Sequence, residues 1–239
     1  MSPQKIPRWI LISGFLLAGN AGFINAIAFL GMSSEAVSHV TGAITKLGIE
    51  AENQNWEEGH PAVMMVSSFL FGSILCGLII RENRLKAGQS YGAALLVESI
   101  FLFVSYFCFL ANIRSAEYFA SAACGLQNAL VAGYGSVIIR TTNMTGLVTD
   151  VGMLLGQFFH LKPSNIHQRR QKMRRLMIAS TLLGGFFVGA IYGNNAYREH
   201  GLNAVLAPAI GVGLAGVGSI LWRRARARRA TIGEPLERP

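Results

Sequence analysis

Six apolar stretches constrain this chain more than any other feature of its sequence. A membrane-spanning helix needs about 20 mostly apolar residues. The stretches cover residues 9–30, 61–80, 91–111, 118–139, 176–196 and 202–222. Within them a single charged residue occurs, Glu98. The sequence therefore predicts an all-α integral membrane protein with six transmembrane helices.

The composition argues against a soluble globular domain and against disorder. Hydrophobic residues make up 51% of the chain and charged residues 14%, whereas average chains carry about 25% charged residues. That is too little charge to cover the surface of a soluble protein of this length. Two prolines bear on the helix geometry. Pro61 is expected in the first turn of its helix, and Pro208 is expected to kink the last helix.

The basic residues predict an orientation in the membrane. The chain has 21 Lys and Arg against 12 Asp and Glu. With the N-terminus in the cytoplasm, 18 of the 21 cations fall on the cytoplasmic side, as the positive-inside rule requires. We therefore expect both termini to be cytoplasmic, and we expect no nucleic-acid partner. Anionic lipid heads are expected at Arg169, Arg170, Lys172, Arg174 and Arg175.

Two windows of the sequence, residues 22–48 and 125–152, resemble each other. Seven residues of the first window recur in order in the second with a one-residue gap. Gly22, Asn25, Ala26, Thr41, Gly42, Thr45 and Gly48 match Gly125, Asn128, Ala129, Thr145, Gly146, Thr149 and Gly152. The repeats cover about residues 9–111 and 118–222, with three spanning helices each. Because three is odd, the second repeat is predicted to be inverted relative to the first.

Each repeat contains a short extra segment after its first helix, residues 41–52 and 145–159. The shared core T-G-x-x-T-x-x-G places its threonines and last glycine on one helix face. Such a face either packs closely on another helix or lines a polar path. The segments are too short to span, which leaves re-entrant and interfacial placements open. Ser38 or Thr41, and Thr142 or Thr145, are expected to cap them.

The expected domain organisation is simple. Residues 1–222 form a single transmembrane domain, and residues 223–239 form a basic cytoplasmic tail that is expected to be disordered. The three cysteines, Cys76, Cys108 and Cys124, form no C-x-x-C pair, so neither a zinc site nor a disulfide framework is expected. Enzyme motifs such as a P-loop or H-E-x-x-H are absent from the sequence, so we expect no enzyme, no cofactor and no metal.

Polar residues inside the apolar stretches are the candidates for a substrate-binding site. An acidic residue at a helix centre costs about 2.5–3.5 kcal/mol on insertion scales and often marks function. For Glu98 the alternative is a protonated side chain bonded to a neighbouring helix, and for the amides it is interhelical packing. The candidate set is Asn25, Thr41, Gly42, Glu98, Gln127, Asn128, Thr142, Asn143, Thr145, Gly146 and Asp150.

The repeat motifs also carry a family resemblance. GLQNA at 125–129, TTNMTGLVTDVG at 141–152, AGFINAIAFL at 21–30 and VTGAITKLG at 40–48 make the chain similar to the YoaK-like family. These are multi-pass bacterial inner-membrane proteins of uncharacterised function. The resemblance covers residues 9–222 and implies six helices, the inner membrane and no known enzyme activity. The chain departs from the usual family pattern at Asn25, where Asp is usual, and at Ala43, where Asn is usual.

Two functions compete on this sequence. The first is a transporter or permease for a small solute or ion, with its site between the repeats. The second is a non-transporting membrane sensor or assembly module, for which a homo-oligomer is an option. Neither the solute nor the coupling ion follows from the sequence.

Overall fold

A computed structural model describes residues 8–31, 37–80, 88–113, 115–132, 143–160 and 165–231 of the chain. In this part of the chain all regular structure is helical, which confirms the all-α prediction. The helices are α1 (Arg8–Gly31), α2 (Val40–Glu52), α3 (Trp56–Ile79), α4 (Gly88–Leu110), α5 (Ala116–Ala132), α6 (Met144–Phe159), α7 (Ile166–His200) and α8 (Leu206–Thr231), with a 3-10 helix (Gly201–Val205) joining the last two.

The helical stretches long and apolar enough to cross a membrane number four among the described residues. They are Leu11–Gly31, Trp56–Ile79, Tyr91–Leu110 and Ile166–Ala227. The fourth contains both α7 and α8 with the 3-10 turn between them. Helix α5 is described for 17 residues, and the end of its apolar stretch, residues 133–139, lies outside the described residues.

Both proline predictions are wrong. Helix α3 begins at Trp56, so Pro61 lies inside the helix rather than in its first turn. The early start has a cause in Asn55, whose side chain caps the helix by accepting from the Glu58 N–H. Pro208 lies in the first turn of α8 rather than inside a helix, where its missing N–H removes no hydrogen bond of that helix.

Residues 223–231 of the basic tail are helical, whereas the sequence predicts disorder from residue 223. Helix α8 continues to Thr231, so residues 223–231 extend it by more than two turns. Ala and Arg are good helix formers, and the Arg226 guanidinium lies over the Trp222 ring one turn earlier, 5.3 Å from the ring centroid. This cation–π contact ties the start of the basic segment to the last apolar turn.

The two short helices form as expected, with different caps. Helices α2 and α6 have 13 and 16 residues. Their N-caps are His39 and Asn143, not the serine and threonines that the sequence suggested. Both cap side chains fold over the glycine of the T-G pair. A Cβ added at Gly42 would overlap the His39 ring, and one at Gly146 would lie 2.6 Å from the Asn143 amide nitrogen. In each helix the absence of a side chain at this glycine leaves space for the side chain of the N-cap residue.

Two helix pairs form the frame of the protein. Helix α1 packs along α7, and α3 packs along α5. The helices cross with their backbones in direct contact, because a Cβ added at Gly22 would overlap the Phe186 carbonyl oxygen, and one at Gly125 would overlap the Phe69 carbonyl oxygen. Small residues allow such close approach between helices in membranes.

The remaining helices dock onto this frame. Helix α2 lies on α3, with Ala43 and Leu47 packed against Ala62 and Met65. Helix α6 lies on α7, where Leu147 joins a buried cluster with Ile178 and Leu182. Helix α4 packs along both α5 and α8.

The outer surface of the helices is apolar. Leu78, Phe107, Phe187 and Leu214 are each more than 60% exposed, and many other large hydrophobic side chains on these helices are exposed as well. A soluble monomer rarely exposes apolar surface on this scale. The helix surfaces therefore suit contact with lipid.

Candidate functional site

A cavity of about 440 Å³ lies between α1, α4, α7 and α8, with Leu130 of α5 also on its wall. Its wall is mainly aliphatic, with Leu11, Leu17, Leu95, Leu182 and Val212 among the lining side chains. The polar side chains on the wall are Ser13, Asn20, Tyr91, Thr181 and Ser219, and no charged side chain lines it within the described part of the chain. An apolar pocket with a few placed polar groups is the usual form of a small-molecule site.

Asn20 connects this cavity to the buried carboxyl of Glu98. Asn20 lies midway along α1 and lines the cavity. Its amide nitrogen donates a hydrogen bond to Glu98 Oε1 at 3.2 Å. Glu98 is completely buried on α4, and its second oxygen, Oε2, accepts no hydrogen bond from the residues that the structure describes. The one acidic residue of the apolar stretches thus sits directly behind the cavity wall.

Gln127 bonds to the backbone of α1 three residues before Asn20. It is completely buried on α5, and its Nε2 donates to the Leu17 carbonyl oxygen at 2.6 Å. Leu17 itself lines the cavity, one turn before Asn20. The Gln127 side-chain oxygen, like Glu98 Oε2, has no partner in the described part of the chain. The structure therefore brings Glu98 and Gln127 to neighbouring positions on α1, Asn20 and Leu17.

Asn25 has a structural role at the other end of α1. Its amide nitrogen donates to the Ala21 carbonyl oxygen at 2.7 Å. Its side-chain oxygen accepts from the backbone N–H and the hydroxyl of Ser38, at 3.1 and 2.9 Å. Asn25 thus ties α1 to the segment that leads into α2. Its repeat counterpart, Asn128, is half-buried on α5, and neither side chain lines the cavity.

The candidates on the short helices do not reach the cavity. Thr41, Thr145 and Asp150 are exposed, and Asn143, Gly42 and Gly146 form the helix caps. The hydroxyls of Thr45 and Thr149 donate to the carbonyl oxygens of Thr41 and Thr145 one turn earlier, at 3.0 and 2.9 Å. Thr142, the remaining candidate, lies outside the described residues. The threonine and glycine face therefore lines no polar path within the described structure.

Lys46 of α2 forms an ion pair with Glu58 of α3. Lys46 Nζ lies 3.7 Å from Glu58 Oε2, and both side chains are well exposed, so the pair contributes about 1 kcal/mol or less. Asp150, at the equivalent place in α6, is exposed. No group of three His, Cys, Asp or Glu side chains in the described ranges could hold a metal ion.

The hydroxyls of the cavity wall are the site residues that sequence reasoning missed. Ser13, Thr181 and Ser219 lie inside apolar stretches, and polar residues of this kind were the available signal. The sequence could not tell which of the many serines and threonines in these helices face the cavity, because their own hydroxyls readily bond to the helix backbone.

These features define a membrane-embedded, all-helical protein with a small, partly open cavity between its helices. The family model described as "Protein of unknown function (DUF1275)" matches residues 13–218, which include the cavity-lining positions except Leu11 and Ser219. The chain therefore belongs to this family. Comparison with curated proteins and with solved structures finds no match.

Proposed function

We propose that this chain is a bacterial inner-membrane transporter or permease of the YoaK-like type, which carries a small solute or ion. In this proposal six helices span the membrane as two inverted 3+3 repeats, and both termini are cytoplasmic. The observation that carries the proposal is the cavity whose wall includes Asn20, with Glu98 behind it. Inverted repeats in secondary transporters commonly place the substrate site at their interface.

The helix crossings support the repeat. Gly22 and Gly125 are equivalent in the sequence repeat, and each lies against the backbone of a phenylalanine on its partner helix, Phe186 or Phe69. Gly189 and Gly72, three residues further along the partner helices, lie in turn against the carbonyl groups of Gly19 and Ala122. The pair α1–α7 thus repeats the contacts of the pair α3–α5. Helices α2 and α6 likewise dock on equivalent helices.

The cavity lies where the two halves differ. In the proposed repeat α4 corresponds to α8, and α5 corresponds to α1. The interface between α4 and α5 therefore corresponds to the interface between α8 and α1. The first pair packs closely, whereas α8 has few contacts with α1 and the cavity separates them. We interpret this as one of two states of a carrier. In the other state α8 closes on α1 while α4 parts from α5, so that the site opens to the opposite side.

The wall chemistry favours a small neutral solute with a large apolar part. Aliphatic side chains make up most of the lining, and hydroxyls and one amide supply the polar groups. A charged solute would lose its hydration without an ion partner on this wall.

One observation favours the alternative, a non-transporting sensor or assembly module. The face of α2 with Thr41, Thr45 and Gly48, and the face of α6 with Thr145, Thr149, Gly152 and Gly156, point away from the rest of the described chain. Faces of small residues are typical of helix–helix association in membranes. A partner helix or a second copy of the chain would fit them.

The decisive experiment measures solute binding. Purified protein is screened for thermal stabilisation by a panel of small neutral solutes, and hits are followed by uptake into proteoliposomes. Ala215→Leu fills the cavity from α8, and Ala207→Leu makes the same change at an exposed site of α8 outside the cavity. We expect the first to abolish stabilisation and uptake and the second to leave both. A solute that is bound and carried equally by the Ala215→Leu protein would refute the site.

The inverted topology has a separate test. Single cysteines are placed at Thr41 and Thr145, which are exposed at equivalent positions of α2 and α6, in a protein whose native cysteines are replaced. Labelling with a membrane-impermeant maleimide from each side should place them on opposite sides of the membrane. Labelling from the same side would eliminate the inverted repeat.

Anionic lipid is the second partner in the proposal. Arg169, Arg170 and Arg175 are exposed on the first turns of α7, with Lys172 and Arg174 beside them. Each basic residue near an anionic surface contributes about 1 kcal/mol. We expect phosphatidylglycerol to raise the unfolding temperature more than phosphatidylcholine does, and charge removal at these five positions to abolish the difference.

A further inference from the structure

Glu98 is a buried carboxyl with half of its hydrogen-bonding capacity unused. Its side chain is completely buried. Oε1 accepts from the Asn20 amide at 3.2 Å, whereas Oε2 accepts nothing within the part of the chain that the structure describes. The other buried hydroxyls nearby are satisfied, since Ser99 donates to the Ala209 carbonyl and Ser121 to the Met65 carbonyl.

No described cation balances a charge on Glu98. The ion pairs of the described residues are Lys46 with Glu58 and His200 with Glu199. The titratable groups that face Glu98 are the thiols of Cys76 on α3 and Cys124 on α5. The apolar parts of α1 and α8 carry no titratable side chain. Burying a lone carboxylate in an apolar interior is costly. Binding of a proton or of a cation by the Glu98 carboxylate would remove this cost.

Gln127 supplies a second acceptor without a donor. Its nitrogen is bonded to the Leu17 carbonyl, and its buried oxygen is unpaired in the described part of the chain. Both uncommitted atoms, Glu98 Oε2 and Gln127 Oε1, are acceptors, so what they lack is a proton or a cation. Hard metal cations take about six oxygen ligands, whereas the buried side-chain oxygens without a partner among the described residues are three, Glu98 Oε2, Gln127 Oε1 and Glu117 Oε2. This chemistry favours a proton.

We propose that Glu98 is the proton-binding residue of this protein and that Asn20 links its protonation to the cavity. An ionised Glu98 holds the Asn20 amide by a charge-assisted hydrogen bond, which weakens when the carboxyl takes up a proton. Asn20 is then freer to bond an occupant of the cavity that it lines. Binding of proton and occupant are thereby linked, and each changes the affinity for the other by the same factor. This linkage rests on the proposed function, whereas the proton site itself does not.

Infrared difference spectroscopy of the protein in liposomes tests the proton site, with the proton as the probe. A change of pH should produce a band from a protonated carboxyl that is lost in Glu98→Gln and kept in the matched variant Glu117→Gln at the start of α5. Glu98→Asp, which keeps the acid, should shift the band rather than remove it. Asn20→Ala should move the midpoint of the titration to higher pH, because the amide that stabilises the ionised form is gone.

Three outcomes would overturn the proposal. The first is a titration spectrum that is the same in the parent protein and in Glu98→Gln. The second is a band whose midpoint follows the sodium concentration, which would make the site a metal-cation site. The third is a Glu98→Asp band identical to that of the parent protein. A solute screen without hits would count against transport and leave the titration result standing, so the two proposals fail separately.

Discussion

The two halves of the molecule share one kind of helix contact and differ in another. In both halves a glycine of the first helix lies directly against the backbone of a long partner helix, Gly22 on α7 and Gly125 on α3. The contact between the outer helix of one half and the first helix of the other is not shared. Helix α4 packs along α5, and a cavity separates α8 from α1. The two halves therefore share the close packing of α1 on α7 and of α3 on α5, and they differ in how α4 and α8 pack against these pairs.

The largest expected effect comes from the shared contact. Gly22→Ala and Gly125→Ala each place a methyl group onto a backbone carbonyl, which the partner helix cannot avoid without moving away. Each substitution should lower the free energy of unfolding by about 3 kcal/mol or more. Unfolding of the purified variants in detergent measures the loss. Unequal losses of stability in the two variants would contradict the equivalence of the two helix crossings.

The controls for this prediction lie on the partner helices. Gly77 on α3 and Gly184 on α7 have no atom within 4 Å of an added Cβ. Their alanine variants should be neutral or stabilised by up to about 1 kcal/mol, because alanine is the better helix former. A loss at these sites comparable to that at Gly22 would show that the effect is not due to the crossing.

The second prediction contrasts the closed and the open interface. Ala94 on α4 is completely buried in a cluster with Leu126 and Leu130 of α5. Ala94→Leu should therefore overpack the interface and cost about 2 kcal/mol. Ala215→Leu on α8 enters the cavity and should change the stability by less than about 1 kcal/mol. Thermal unfolding of the two variants compares the interfaces directly, and equal losses would mean that α1–α8 is as tightly packed as α4–α5.

The third prediction concerns the polar link that one half has and the other lacks. At the repeat position equivalent to Asn20, α5 carries Ala123, which is completely buried. Asn20→Ala should cost about 1.5 kcal/mol, because Glu98 Oε1 then loses its donor. In a Glu98→Leu background the same change should cost much less. A double-mutant cycle measures this coupling, and a coupling near zero would remove Asn20 as the partner of Glu98.

Apolar runs and motif spacing predicted that the helices and the two short segments exist, but α7 begins at Ile166, ten residues before its apolar run. The start of α3 was not predictable from its apolar run, because Asn55 caps the helix ahead of polar residues. Residues 223–231 are helical, although their high positive charge is typical of a disordered tail, because Ala and Arg have high helix propensity. The intrinsic helix propensity of each Ala and Arg favours a helix even in a segment with a high density of positive charge.

The candidate site was predictable in its buried part. Glu98 and Gln127 stand out in sequence as polar residues in apolar stretches, and the structure brings both to neighbouring positions on α1. In each short helix the motif residues, which begin with Thr41 or Thr145, lie on one face. The spacing alone does not show whether that face packs against the protein or is exposed. Here the apolar face of each short helix docks on the frame, and this leaves the threonines exposed.

The smallest effect compares the caps of the two short helices. Asn143 accepts a hydrogen bond from the Gly146 N–H at 3.3 Å, whereas His39 makes no capping hydrogen bond with its side chain. Asn143→Ala should cost about 1 kcal/mol, and His39→Ala should cost less than about 0.5 kcal/mol. Hydrogen exchange of the first turns of α6 and α2 resolves changes of this size locally. Equal effects would mean that the two caps act alike through the contact of their side chains with the glycine. Unequal effects would show that the two copies of the motif share a backbone shape while one of them has lost its cap hydrogen bond.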